Sequence, residues 1–312
     1  MGAKDKAFSV AAALVFLKKA NADEQAVFDG SRVEGFVRAR QRLSESVLQR
    51  HVLHPQQNVH LTNILGLFAA PLAVTYAKEI PSTIDQSSRV DITVDVSLFS
   101  QVANYVRDVV QVTQPDVYQR PKDPGDLLLR NFKGASDRPQ PAMIVFGGLL
   151  RGRTEQHLAF ALGRHMMDIW FPHYAYVALG RSPEELKKVL TAALVIAGKV
   201  PNKDREIDAL AKSMARYLDP AKMEMLKATV DRFIDAGGAL DVKQWASAAE
   251  LSCYRVGLLL CGDLAIAAQM VSQEQQQLGA MLSAKDKIKE LLLYSISEDF
   301  FEARRALGLA VK

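Results

Sequence analysis

Residues 155–169 read EQHLAFALGRHMMDI and follow the run PAMIVFGGLLRGR (141–153). An acid, histidines and a glycine on one amphipathic stretch are residue types of metal-assisted hydrolysis. A catalytic zinc needs several protein ligands beside an open position, and two helical ligands share a face at i and i+4. His157, His165 and His173 are spaced by eight, so no two of them make such a pair. As lone histidines they read as helix-end or surface residues. The plain reading of the stretch is a core helix whose buried stripe is Leu158, Ala159, Leu162, Met166 and Ile169. A second polar stretch, AELSCYRVGLLL (249–260), carries Glu250, Cys253, Tyr254 and Arg255.

Taken together, the strand-like run, the GGLL turn, the helix behind it and the later AELSCYRVGLLL helix resemble the HtpX-like gluzincin metallopeptidases. The resemblance covers about residues 115–265. In that family the first helix carries HExxH, and a glutamate within ExxAD on the later helix completes the zinc site. With Leu162 and Gly163 set on the pentad, Phe160 takes the first histidine's place and Ala161 that of the catalytic glutamate. Arg164 then stands for the second histidine, and Glu250 matches the ligand glutamate. Cys253 and Tyr254 stand where the family has Ala and Asp.

Phe160 offers no lone pair, and the Arg164 guanidinium stays cationic and repels a metal. Loss of the general base at Ala161 removes an effect of about 10²–10⁴-fold by itself. The resemblance therefore implies a pseudo-peptidase domain without metal, cofactor or catalytic residue, of the kind found in bacterial tetratricopeptide-type proteins. In this reading Phe160 fills the metal's space and Arg164 pairs with Glu250, because a buried carboxylate without its metal needs a cation. The expected role is protein interaction or scaffolding. Two alternatives stand beside it. One is a metal-dependent hydrolase with rearranged ligands drawn from Glu250, His157 and His165. The other is a plain helical adaptor, in which the 160–164 and 250–254 faces lie far apart.

The elements around these residues read as mostly helical α+β, with a helical core and one small antiparallel β-meander, zincin-like by resemblance. Residues 1–80 form an N-terminal helical hairpin region with paired helices of the tetratricopeptide sort but no repeat period. Within it Pro71 limits or kinks an apolar helix over 58–77. The turn-rich EIPSTIDQSSR (79–89) marks the boundary to a domain over 81–312. A helix at 98–110 has Leu98, Val102, Tyr105 and Val109 on one stripe, and the short apolar runs at 115–147 are the meander. Ser182 with Pro183 and Glu185 predicts a capping box, and Asp219 and Asp241 predict further helix starts. The EQQQLGA stretch (274–280) reads as a polar helix face or loop.

Composition narrows the function classes. With 49% hydrophobic and 24% charged residues among 312, the profile is that of a soluble globular protein. The 39 basic and 35 acidic residues interleave without a Lys/Arg block, so nucleic acid is not an expected partner. GxGxxG, GK[ST] and GxSxG patterns are absent, which argues against nucleotide binding and serine hydrolysis. Arg151 and Arg153 could meet an acidic partner, though an exposed turn is the simpler account. No apolar run reaches membrane-spanning length, and the N-terminal stretch reads as an amphipathic helix rather than a leader. Cys253 and Cys261 lie eight apart on one helix, about 12 Å along its axis, which excludes a disulfide. Both read as buried small hydrophobes, in keeping with a cytoplasmic protein.

Overall fold

The computed structural model describes residues 2–33, 35–134, 138–201, 204–274 and 281–311. The chain opens with α1 (Gly2–Phe16) and α2 (Ala22–Ser31), the latter held by an Asn21–Glu24 capping box. A short turn α3 (Glu45–Val47) runs into a π-turn at Leu48–Val52, followed by α4 (Val59–Thr75). Pro71 sits inside α4 without ending it, because packing holds Leu72 and Ala73 buried beyond it. After β1 (Arg89–Val90), α5 (Leu98–Val110) buries Phe99, Val102, Ala103, Val106, Val109 and Val110. The stripe expected there is shifted: Leu98 is exposed, and the Tyr105 hydroxyl accepts the Ala39 N–H at 2.8 Å.

Strands β2 (Asp116–Arg120), β3 (Leu127–Lys133) and β4 (Pro139–Phe146) complete one sheet in the order β1-β2-β4-β3. It is mixed rather than an antiparallel meander: β4 pairs antiparallel with β3 but parallel with β2. The reason lies in burial. Ala142–Val145 are buried on both faces, so β4 takes the centre, whereas β3 alternates buried and open residues and lies at an edge. Residues 135–137, between β3 and β4 in the sequence, lie outside the described residues.

Beyond the sheet the chain is helical: α6 (Gly147–Leu150, the GGLL turn), α7 (Glu155–Met167), α8 (Phe171–Ala178), α9 (Pro183–Ile196), α10 (Arg205–Ala215), α11 (Pro220–Asp235), α12 (Val242–Cys261), α13 (Leu264–Gln273), α14 (Ala284–Ser295) and α15 (Glu298–Leu307). The expected caps form: Ser182, Asp219 and Asp241 accept the backbone N–H of Glu185, Lys222 and Gln244. The Glu185 side chain, however, turns to Lys188 at 3.0 Å, and Ser182 donates to Glu184 instead. Residues 275–280 of EQQQLGA lie outside the described residues.

Two large cores and a small one on the sheet (Ile84, Tyr118, Phe132, Ala142, Ile144) result, and α12 joins the two large ones. Its first half (Trp245, Ala246, Ala249) packs with α4, α8, α9 and α11; its second half, from Cys253 on, packs with α5, α7 and α13–α15. The mostly helical α+β class is thus seen directly. Among the described residues, no helix is long and apolar enough to cross a membrane.

Candidate functional site

The predicted stripe Leu158, Ala159, Leu162, Met166 and Ile169 is buried, and α7 is enclosed on nearly all sides from Leu158 onward. It crosses α12 at two glycines. A Cβ on Gly257 would stand 2.8 Å from the Phe160 carbonyl oxygen, and one on Gly163 would stand 3.2 Å from the Gly257 Cα. This contact of backbones brings the 160–164 and 250–254 faces together. Phe160 is wholly buried with its ring centroid 6.2 Å from that of Tyr254. Ala161 lies beside it and lines, with Phe160, Arg164, Phe146 and Glu274, a cleft of about 220 Å³.

Arg164 does not pair with Glu250. Its guanidinium donates to Glu274 Oε1 at 2.8 Å and stacks over the Tyr254 ring at 4.5 Å. The Tyr254 hydroxyl donates to the other Glu274 oxygen. Glu250 is taken by Lys287 on α14, 2.7 Å away, and Lys287 also donates to the Tyr254 hydroxyl at 3.0 Å. Two cations thus face two carboxylates around one tyrosine. The pairing differs from expectation because Glu274, at the end of α13, and Lys287 are delivered by helices packed over the crossing.

One turn further along α7 lies a second network that the sequence reading missed. Asp168 accepts from Arg181 at 2.5 Å through one oxygen and from the Cys253 thiol at 3.3 Å through the other. His173 Nδ1 is 3.5 Å from the same sulfur, and its Nε2 accepts from the Gln57 amide at 3.0 Å. Gln57 in turn accepts from Ser252 at 2.8 Å. Arg181 is held at φ +58°, a left-handed conformation uncommon outside glycine, and from there it reaches Asp168. The signals available were the i,i+4 spacing of Arg164 and Asp168 and the position of Cys253 opposite them.

The histidines lie in the end turns of their helices, His157 and His173 in the first turns of α7 and α8 and His165 in the last turn of α7, but two of them are buried. His165 and His173 are 5% and 2% exposed. Arg164 donates to His165 Nε2 at 3.2 Å, which leaves the proton on Nδ1, and that atom has no partner among the described residues. Burial, helped by the neighbouring Arg164, holds the His165 pKa well below its usual value. Burial also pushes His173 down to about 4, against the pull of Asp168. Burial and then Asp168 raise the Cys253 thiol well above its usual range, so it stays protonated. For Asp168 burial acts upward, but Arg181 overrides it and keeps the carboxyl below its ordinary value. Arg153, read as part of an exposed turn, is instead anchored to the Gly148 carbonyl at 2.8 Å and Gln273 at 3.0 Å.

Neutral buried histidines make stability depend on pH with a definite sign. Folded pKa values below the unfolded value of about 6.5 mean that the unfolded chain binds protons first. Their contribution is present above about pH 6.5 and is lost as pH falls towards the folded value of about 4 for His173. Each histidine adds up to about 1.4 kcal/mol per pH unit to the slope in this window. Thermal melts from pH 7 to 4.5 should show a falling Tm, and a shallower fall in His173→Asn. An equal slope in the variant would remove His173 from the account.

Asp168, His173 and Cys253 are also the set able to hold a metal among the described residues, with one donor atom each within 4.8 Å of one another. The sulfur's distances of 3.3 and 3.5 Å to its neighbours match the edges of about 3.5 Å in a tetrahedral zinc site. Against that fit, Arg181 already neutralises Asp168 and the set is fully enclosed. No family model, curated protein or solved structure matches this chain.

Proposed function

We propose that the chain is a catalytically silent, metallopeptidase-like domain that serves as a protein-interaction or scaffold module. The observation that carries the reading is the state of the acids around the α7–α12 crossing. Glu250 is bound by Lys287, Glu274 by Arg164 and Tyr254, and Asp168 by Arg181. None of them is left to bind a metal or to take a proton from water, and Phe160 and Ala161 supply no donor atom. The meeting of the two faces agrees with the resemblance and disagrees with the separation a plain helical adaptor would show.

An interaction role also draws on the segment before α5, where Val94 and Val96 are 75% and 83% exposed beside the exposed Leu98. Open apolar residues this close together in the chain are a candidate contact surface where they form one patch. Affinity capture from the native host, run with the wild type and with Val94→Asp/Val96→Asp, tests it. The expected result is a partner held by the wild type and lost by the variant. An identical captured set for both would overturn this surface. The second reading, a metal-dependent hydrolase with rearranged ligands, is favoured by the Asp168, His173 and Cys253 cluster in place of His157 and His165. Hydrolysis in the presence of zinc separates the two.

A further inference from the structure

A cavity of about 760 Å³ lies beyond the helix crossing, between α1, α2, the start of α7, the end of α12 and the C-terminal residues 309–311. That volume is within the range of cavities that enclose small organic ligands. Its interior is apolar, with Phe8, Val15, Phe16, Phe28, Leu260 and Leu309 among its walls. Phe8 and Phe28 stack in parallel at 5.8 Å and tie α1 to α2. Among the described residues its charged lining is one-sided, with Lys18, Arg32, Arg40 and Arg304 facing one acid, Asp263. Arg304 is consumed by the buried Asp5 at 2.9 Å, and Arg32 leans on Asp263 at 3.8 Å. Lys18 and Arg40 have no charge partner among the described residues.

An apolar interior with two cations that have no charge partner among the described residues is complementary to a molecule with one apolar chain and one anionic head. We infer that this cavity binds a single-chain anionic amphiphile, a fatty-acid carboxylate being the simplest member, with the chain between α1, α2 and α12 and the head at Lys18 and Arg40. The helical part of the wall offers no strand edge to the N–H and C=O that each residue of an extended peptide would bring, whereas an acyl chain brings no such groups.

The site is independent of the α7–α12 reading, and its test does not touch that crossing. The full chain is titrated with a fluorescent fatty-acid probe, which is then displaced by laurate, dodecanol or dodecyltrimethylammonium below their micellar concentrations. Saturable one-to-one binding is expected, with laurate displacing at least ten-fold better than dodecanol and the cation failing to displace. Lys18→Glu/Arg40→Glu should weaken laurate at least ten-fold and leave dodecanol unchanged. Ala12→Trp, which fills the cavity, should abolish both, with circular dichroism confirming its fold. Absence of saturable binding, equal displacement by the cation, or indifference of laurate to the charge reversal would overturn the inference. So would binding to anionic vesicles without binding of monomeric laurate, or a dimer in light scattering that Ala12→Trp dissociates.

Discussion

Glu274→Ala should destabilise the fold by about 3–5 kcal/mol in urea unfolding, the loss typical when one partner of a buried ion pair is removed. Arg164 and Glu274 have side chains only 13% and 18% exposed, so water entering from the cleft replaces the lost carboxylate for the guanidinium only in part. Tyr254 would lose its acceptor at the same time, and Lys287 would lose a carboxylate 3.9 Å away. The companion variant Arg164→Met/Glu274→Leu removes both charges and keeps apolar bulk, so it should recover at least half of that loss. A cost below about 1 kcal/mol for Glu274→Ala would mean that the pair behaves like an exposed one.

Gly257→Ala is the second large effect, and its sign runs against helix propensity. Alanine gains about 1 kcal/mol over glycine in a helix interior. At Gly257 the new Cβ meets the Phe160 carbonyl oxygen at 2.8 Å and its ring at 3.1 Å, and a backbone oxygen cannot swing away. Either α7 and α12 separate or their backbones bend, an overpacking that costs about 1–3 kcal/mol net. Gly257→Val should cost more. Gly30→Ala, in α2 with nothing within 4 Å of its Cβ position, is the control and should stabilise by about 0.5–1 kcal/mol. Stabilisation by both alanines would show that the two helices do not cross this closely.

The parts of the fold legible in the sequence are those set by local rules. Ser182, Asp219 and Asp241 start helices because each has a side-chain oxygen for an otherwise unpaired N–H, and that chemistry is visible within four residues. The α7 stripe follows from periodicity alone. What failed depended on distant partners. The place of β4 between β2 and β3 is decided by burial on both faces, which a short apolar run does not announce. Arg164 was matched to Glu250 alone, and its pairing with Glu274 instead rests on how α13 and α14 fold back over α12. His165 and His173 stand at helix ends as expected, but their burial was not legible, because a lone histidine is more often exposed. Here Gln57, over a hundred residues from His173 in the chain, supplies the hydrogen bond to its buried ring. Cys253 was read correctly as buried but not as a partner of Asp168.

The central claim, that the crossing of α7 and α12 is filled by ion pairs and carries no hydrolytic chemistry, meets its most direct test in one measurement. The full chain is given stoichiometric zinc and incubated with a mixed peptide library, with and without chelator, and cleavage is followed by mass spectrometry. The account predicts no cleavage above the zinc-only blank. Chelator-sensitive cleavage that disappears in Cys253→Ser or Glu250→Gln would contradict it.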